Sequence, residues 1–124
     1  MDYERLVASF KYAWQGIVDV WQNEQNFRIH ACVALTMVVL GFVFSLNAIE
    51  WLFVILAITG VLSTELMNTA VERSVDLITR EQHPLAKRAK DASAAAVLIY
   101  ACMAFIVGIV IFVPKIIKWC LVFF

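Results

Sequence analysis

The sequence predicts an all-α membrane protein: an N-terminal amphipathic surface helix followed by three transmembrane helices. Three observations lead there. The chain of 124 residues is 63% hydrophobic, with a mean hydropathy of +0.83, more apolar surface than a soluble domain of this length can hide. Long stretches carry no charge. The charges that remain gather at a few borders between those stretches.

The elements follow in order. Over residues 2–28, Tyr3, Leu6, Val7, Phe10, Trp14, Ile17, Val18 and Trp21 recur at helical spacing, while Glu4, Arg5, Lys11, Gln15, Asp19 and Gln22 take the other side. Such a helix lies on a membrane with its aromatic side down. It lacks the basic start, short apolar run and cleavage site of a signal peptide. Ala31 to Ile49 is uncharged, enough for about 28 Å of helix against a hydrocarbon core of about 30 Å. Trp51 to Thr64 is also uncharged, with apolar character continuing past Glu65 to Val71, and Ala92 to Pro114 is uncharged throughout. The expected spans are about 29–48, about 50–80 including a cytoplasmic extension, and about 86–121 including a cytoplasmic start. Residues 1–124 form one membrane domain, with no linker or internal repeat.

Charge sets orientation and excludes some functions. Ten basic and ten acidic residues balance, so there is no nucleic-acid footprint. Arg5, Lys11 and Arg28 precede span one, and Arg73, Arg80, Lys87, Arg88 and Lys90 lie between spans two and three. Only Lys115 and Lys118 fall on the other side. The positive-inside rule puts the N-terminus and second loop in the cytoplasm and the C-terminus outside. Lys115 and Lys118 then read as outer-face anchors. Cys32, Cys102 and Cys120 have no ligand spacing and read as buried free thiols. His30 reads as interfacial packing and His83 as a loop residue.

The chemistry concentrates on span two. Glu65, Asn68, Glu72 and Asp76 stand at i, i+3, i+7 and i+11, a stripe about 80° wide at 100° per residue. Glu65 falls within the inner third of the bilayer, while Glu72 and Asp76 lie about 10 and 16 Å further along, at the cytoplasmic border. A carboxylate at membrane depth is costly and points to function; the plainer reading is a hydrogen-bonded Glu that joins helices. Two more polar clusters reach the same border: Asn23, Glu24, Asn26 and Arg28 before span one, and Lys87, Arg88, Lys90 and Asp91 before span three. Carboxylates there can hold Mg²⁺ beside substrate phosphates, and basic side chains can hold phosphate oxygens or anionic lipids. No phosphate-binding loop motif occurs.

The run Glu65-Leu66-Met67-Asn68-Thr69-Ala70-Val71-Glu72 with Val75-Asp76-Leu77 resembles the signature of the small prokaryotic diacylglycerol kinase family. Ala86-Lys87-Arg88-Ala89-Lys90-Asp91 with Ala95-Ala96-Val97-Leu98, and Asn23-Glu24 with Asn26-Phe27-Arg28, resemble its other two blocks. Arg5 and Trp14 fall at family-like positions, and Ala92-Ser93-Ala94 departs from the expected small-residue run. The runs 26–30, 75–77 and 112–115 look most like the Gram-positive branch, which phosphorylates undecaprenol. The resemblance implies a homotrimer with shared active sites, ATP with Mg²⁺, and a lipid alcohol as acceptor. It makes Glu65 the general base, Asn68 its positioning partner, Glu24 and Glu72 metal ligands, and Arg5, Asp76, Lys90 and Asp91 nucleotide residues. Diacylglycerol is the alternative acceptor. An ion or proton transporter using Glu65 is a distant rival: Trp51 to Ile58 and Met103 to Val113 offer no hydrogen-bonding side chain except the Trp51 indole. A membrane scaffold leaves the polar clusters unexplained.

Overall fold

A computed structural model describes residues 2–123. It consists of four helices: α1 (Tyr3–Asn23), α2 (Gln25–Val43), α3 (Ala48–Ile78) and α4 (Pro84–Phe123). Three are long and apolar enough to cross a membrane: Gln25–Val43, Ala48–Ile78 and the Pro84–Leu121 part of α4. At 1.5 Å per residue α2 is about 28 Å long, and α3, at about 46 Å, outruns the hydrocarbon by several turns. The break between α1 and α2 falls at Glu24, whose backbone is extended (φ −109°, ψ 117°). The first helix thus stops at Asn23, short of the 28 that periodicity suggested. Periodicity cannot see this break, because apolar spacing continues across it and only one residue leaves helical geometry.

The exposure pattern inverts that of a soluble protein. Phe42, Phe105 and Leu121 are each at least 70% exposed, while Glu65, Asn68 and Thr69 are buried. Apolar side chains that face outward along spanning helices meet lipid, where no hydrophobic penalty applies, and polar groups turn inward. Cys32, Cys102 and Cys120 are free and exposed on this outer surface, so the expectation of buried thiols is corrected.

One end of the bundle is closed by a core of Leu46, Val54, Ile111 and Phe112, with Met37, Leu40, Phe44 and Trp51 against it. The α2–α3 turn feeds it. Ser45 has φ 48°; its N–H donates to Phe42 O at 3.1 Å, and the Leu46 N–H donates to Gly41 O at 3.0 Å. This pair of bonds is a Schellman stop. Asn47 then caps α3: its side chain accepts from the Ile49 and Glu50 N–H groups, while Glu50 accepts from the Asn47 N–H at 2.8 Å. The same Glu50 oxygen accepts an ion pair from Lys115 at 3.0 Å. Lys115 therefore ties α4 to the α3 cap, a role beyond the anchor expected of it. The pairing follows Pro114, which contributes no N–H to the helix ladder.

Helix α3 packs most extensively on α4. At Gly60 the Tyr100 ring lies so close that an added Cβ would overlap it. Gly60→Ala is expected to destabilise the bundle by about 1–3 kcal/mol, the usual cost of overpacking, and Tyr100→Ala in the same chain should recover part of that loss. Thermal unfolding in detergent checks both. Equal loss with and without Tyr100 would mean that the contact does not set this packing.

Candidate active site

The polar end of the bundle is built from the α1–α2 elbow, the C-terminal half of α3 and the start of α4. Along α3 the stripe runs from deep to exposed. Glu65 is 4% and Asn68 9% exposed, Glu72 is half-buried and Asp76 is exposed. Helical spacing alone produces this line: steps of three and four residues keep one face while moving along the axis.

Hydrogen bonds join the line to α4. The Asn68 Nδ2 donates to Glu72 Oε1 at 3.0 Å, and the Ser93 hydroxyl of α4 lies 2.7 Å from Asn68 Oδ1. Ser93 also lies 2.9 Å from the Lys90 carbonyl, and its single proton serves one acceptor at a time. With Ser93 on the amide oxygen, the Asn68 nitrogen turns to Glu72. Further out, Lys90 Nζ pairs with Asp76 Oδ1 at 2.6 Å. Asp91 pairs with Lys87 at 2.6 Å on the exposed side of α4.

Glu65 differs from its neighbours. The residue as a whole is buried, its carboxylate bonds to no other described side chain, and, since no fully buried polar atom among the described residues lacks a partner, its oxygens keep some open surface. Its electrostatic surroundings are His30, Glu72 and Glu24. A carboxylate with accessible oxygens and no fixed partner is available as an acceptor. An apolar groove of about 430 Å³ opens between α2, α3 and α4 and reaches His30, Val61 and Leu62, within a turn of Glu65.

Glu24 sits at the elbow, held by Arg73 of α3 through a 3.1 Å bond to its Oε1, and the same guanidinium pairs with Asp19. Arg28 donates to the carbonyls of Trp21 and Gln22 at 3.0 and 2.9 Å, capping the negative end of α1. Arg5 is remote from all this. It pairs with Asp2 at 2.9 Å and stands about 28 Å from Glu24 along the axis of α1.

The structure thus gathers Glu65, Asn68 and Glu72 in one line, joins Asp76 to Lys90, and sets Glu24 opposite them. It leaves Arg5 apart and turns Asp91 toward Lys87. Sequence reasoning missed Ser93 and Arg73. Ser93 carried a signal, as a hydroxyl in a run of alanines. Arg73 had none beyond its place next to Glu72. Among the described residues no three His, Cys, Asp or Glu side chains form a complete metal cage. Mg²⁺ does not need one: it takes one or two carboxylates and fills the rest with phosphates and water. The oxygen donors of Glu24 and Glu72 fit that chemistry.

Comparisons with known proteins identify the family. The family model of prokaryotic diacylglycerol kinase matches residues 11–112. The chain belongs to the prokaryotic diacylglycerol kinase family. It is 46% identical over 114 residues to the undecaprenol kinase of Bacillus subtilis, covering 92% of this chain and 93% of that one. It is 40% identical to the diacylglycerol kinase of Haemophilus influenzae, covering 85% and 86% of the two chains. To that of Escherichia coli strain K12 it is 36% identical, covering 84% and 85%. This family member is a lipid kinase, and its three apolar helices make it a membrane protein.

The Lys90–Asp76 pair is partly exposed, at 35% and 54% of the side chains, and such pairs contribute about 0–1 kcal/mol. Asp76→Asn should therefore leave the thermal midpoint in detergent almost unchanged. If it cripples the kinase without moving that midpoint, Asp76 serves the reaction. A large drop in the midpoint would make it a structural residue instead.

Proposed function

We propose that this kinase phosphorylates undecaprenol to undecaprenyl phosphate with Mg-ATP. The observation that carries the reading is Glu65, a buried residue whose carboxylate bonds to no other described side chain, one helical turn beyond residues that line an apolar groove. A long isoprenoid alcohol lies in hydrocarbon and presents only its hydroxyl to the polar end. Similarity to the Bacillus subtilis undecaprenol kinase over most of both chains supports this acceptor. Diacylglycerol, the acceptor in the names of other relatives, is the alternative.

In this reading Glu65 takes the proton of the lipid hydroxyl as its oxygen attacks the γ-phosphorus, and ADP leaves. Asn68, fixed between Ser93 and Glu72, positions the groups around the base. Glu24 and Glu72 hold Mg²⁺, which when bound neutralises charge on the phosphates. Asp76, Lys90 and Asp91 receive the nucleotide. Arg5 also does so, and its distance from its own Glu24 supports service to a neighbouring subunit's site in a homotrimer. Helix α1 lies on the cytoplasmic surface of the cell membrane with its exposed aromatic residues in the interface. The active site then faces the cytoplasm and the C-terminus lies outside. Most of the catalytic effect comes from alignment and charge neutralisation.

The test of the acceptor is a side-by-side assay of undecaprenol and diacylglycerol in mixed micelles with Mg-ATP. Undecaprenol should show the higher kcat/KM; a clear preference for diacylglycerol would exclude it as the preferred acceptor while leaving a lipid kinase.

The roles along α3 separate by substitution. Glu65→Gln keeps nearly the same shape and removes the proton acceptor, so turnover should fall by about 10² to 10⁴ with nucleotide affinity retained. The loss should appear equally in kcat and in kcat/KM for the lipid. Glu72→Gln should instead weaken use of Mg-ATP and recover partly at high magnesium. Normal turnover by Glu65→Gln, or loss of ATP binding with it, would remove Glu65 as the base.

A further inference from the structure

We propose that Arg73 is a positioning residue of this site, holding the Glu24 carboxylate and the α1–α2 elbow against α3 so that Glu24 faces the metal-nucleotide beside Glu72. The proposal rests on the reading above that Glu24 is a metal ligand.

The geometry begins at the elbow. Glu24 is the one extended residue between two helices, so its φ and ψ alone set the angle between α1 and α2. Apart from the Arg28 bonds to the Trp21 and Gln22 carbonyls, helix α1 has little else to fix that angle. Val20 is its one buried side chain among the described residues, and an open gap of about 440 Å³ separates it from α3, bordered by Ala13, Gly16, Leu66 and Thr69. Arg73 stands at the end of this gap. One residue past Glu72, it points about 100° away around α3, toward α1 rather than along the stripe.

Its guanidinium divides between two carboxylates. Nη1 pairs with Asp19 Oδ2 and Nη2 with Glu24 Oε1 at 3.1 Å. Asp19 is fixed in turn, because Asn23 Nδ2 donates to its Oδ1 at 3.0 Å. The planar fork thus reads both sides of the elbow: Asp19 on α1 and Glu24 at the break. Such geometry suits Arg and is not reproduced by a single ammonium point. Only Oε1 of Glu24 is engaged, so Oε2 is left for a cation.

Stability alone is a poor reason for this contact. The Arg73 side chain is 45% exposed, and Asp19 and Glu24 are 49% and 34% exposed, a setting in which ion pairs contribute about 0–1 kcal/mol. Its consequence is orientation. A carboxylate that ligates a metal needs an outer partner to hold its plane, and removing such a partner typically lowers metal affinity by 10–100-fold.

The test uses the full chain in detergent. Binding of Mn²⁺ with a non-hydrolysable ATP analogue is measured by calorimetry, with size-exclusion elution as a check on assembly. Arg73→Met should weaken binding by about tenfold or more. Arg73→Lys, which keeps the charge and can hold only one carboxylate well, should fall between. Turnover of the polyprenol by Arg73→Met should approach the parent value at saturating magnesium, a split that a merely destabilised protein would not show. Arg73 acts through Glu24, so Arg73→Met should add nothing further to Glu24→Gln. Parent-like or tighter binding by Arg73→Met, or simple addition of the two effects, would overturn the proposal. If Glu24→Gln itself left binding unchanged, the metal role of Glu24 would fall, and this proposal with it. Weakened binding in Glu24→Gln alone would leave that role standing and remove only Arg73.

Discussion

Hydrocarbon offers no hydrogen bonds, and everything in this structure is arranged around that fact. Each polar group on α2, α3 or α4 must find a protein partner, reach the interface or be kept for a substrate. Most take the first course. Thr36, Thr59 and Thr64 return their hydroxyls to carbonyls in the preceding turn. Glu50 is tied to Asn47 and Lys115, and Asn68 to Glu72 and Ser93. Glu65 follows neither pattern. Its carboxylate bonds to no other described side chain, and in the proposed reaction it is kept for the hydroxyl of the lipid.

The same constraint makes the two ends of the bundle different. At the end with the α2–α3 turn, Leu46, Val54, Ile111 and Phe112 close the interior, and the single polar knot is fully paired. At the other end the C-terminal half of α3 and the start of α4 carry Glu72, Asp76, Lys90 and Asp91, and α3 is longer than the hydrocarbon needs. A water-borne nucleotide and a lipid-borne hydroxyl can meet only where such a ladder crosses the interface. The stripe from Glu65 to Asp76 spans about 16 Å on one helix, and in the proposed reaction that rigid spacing would favour alignment of the reacting groups.

Much of this was legible in the sequence, for physical reasons. Uncharged length marks a spanning helix because charge is so costly in lipid, and the stripe on α3 is visible because helical angles are fixed. The lateral contacts were not legible. Ser93 reaches Asn68 only because α4 packs closely on α3, and that approach depends on a ring, Tyr100, lying over a glycine, Gly60. Arg73 read as one of several topology signals, since nothing local distinguishes an arginine that faces lipid headgroups from one that holds Asp19 and Glu24. The break at Glu24 was hidden because a single extended residue leaves the apolar periodicity on either side intact. The cysteines misled in the opposite direction, because apolar neighbours in sequence mean burial in protein or in lipid without distinguishing them.

The helix α1 shows how far one chain can complete the site. Its C-terminal end is held at the site by Arg73 and by Arg28, which takes the Trp21 and Gln22 carbonyls. Its other end, with Arg5, is some 28 Å away along a continuous helix. No bend in α1 brings Arg5 back, since the helix is unbroken from Tyr3 to Asn23. A nucleotide lying beside Glu24 and Glu72 therefore cannot be touched by both ends of the same α1. Two consequences are open to the chain: either Arg5 serves only the membrane surface, or it completes the site of an adjacent copy. The second ties each site to assembly, so that a chain folded alone would hold the base and the carboxylates but lack one cation for the phosphates. That division matches what a single chain contains: the proposed base, the amide and the carboxylates lie together, and the cation expected to join them, Arg5, lies at the far end of α1.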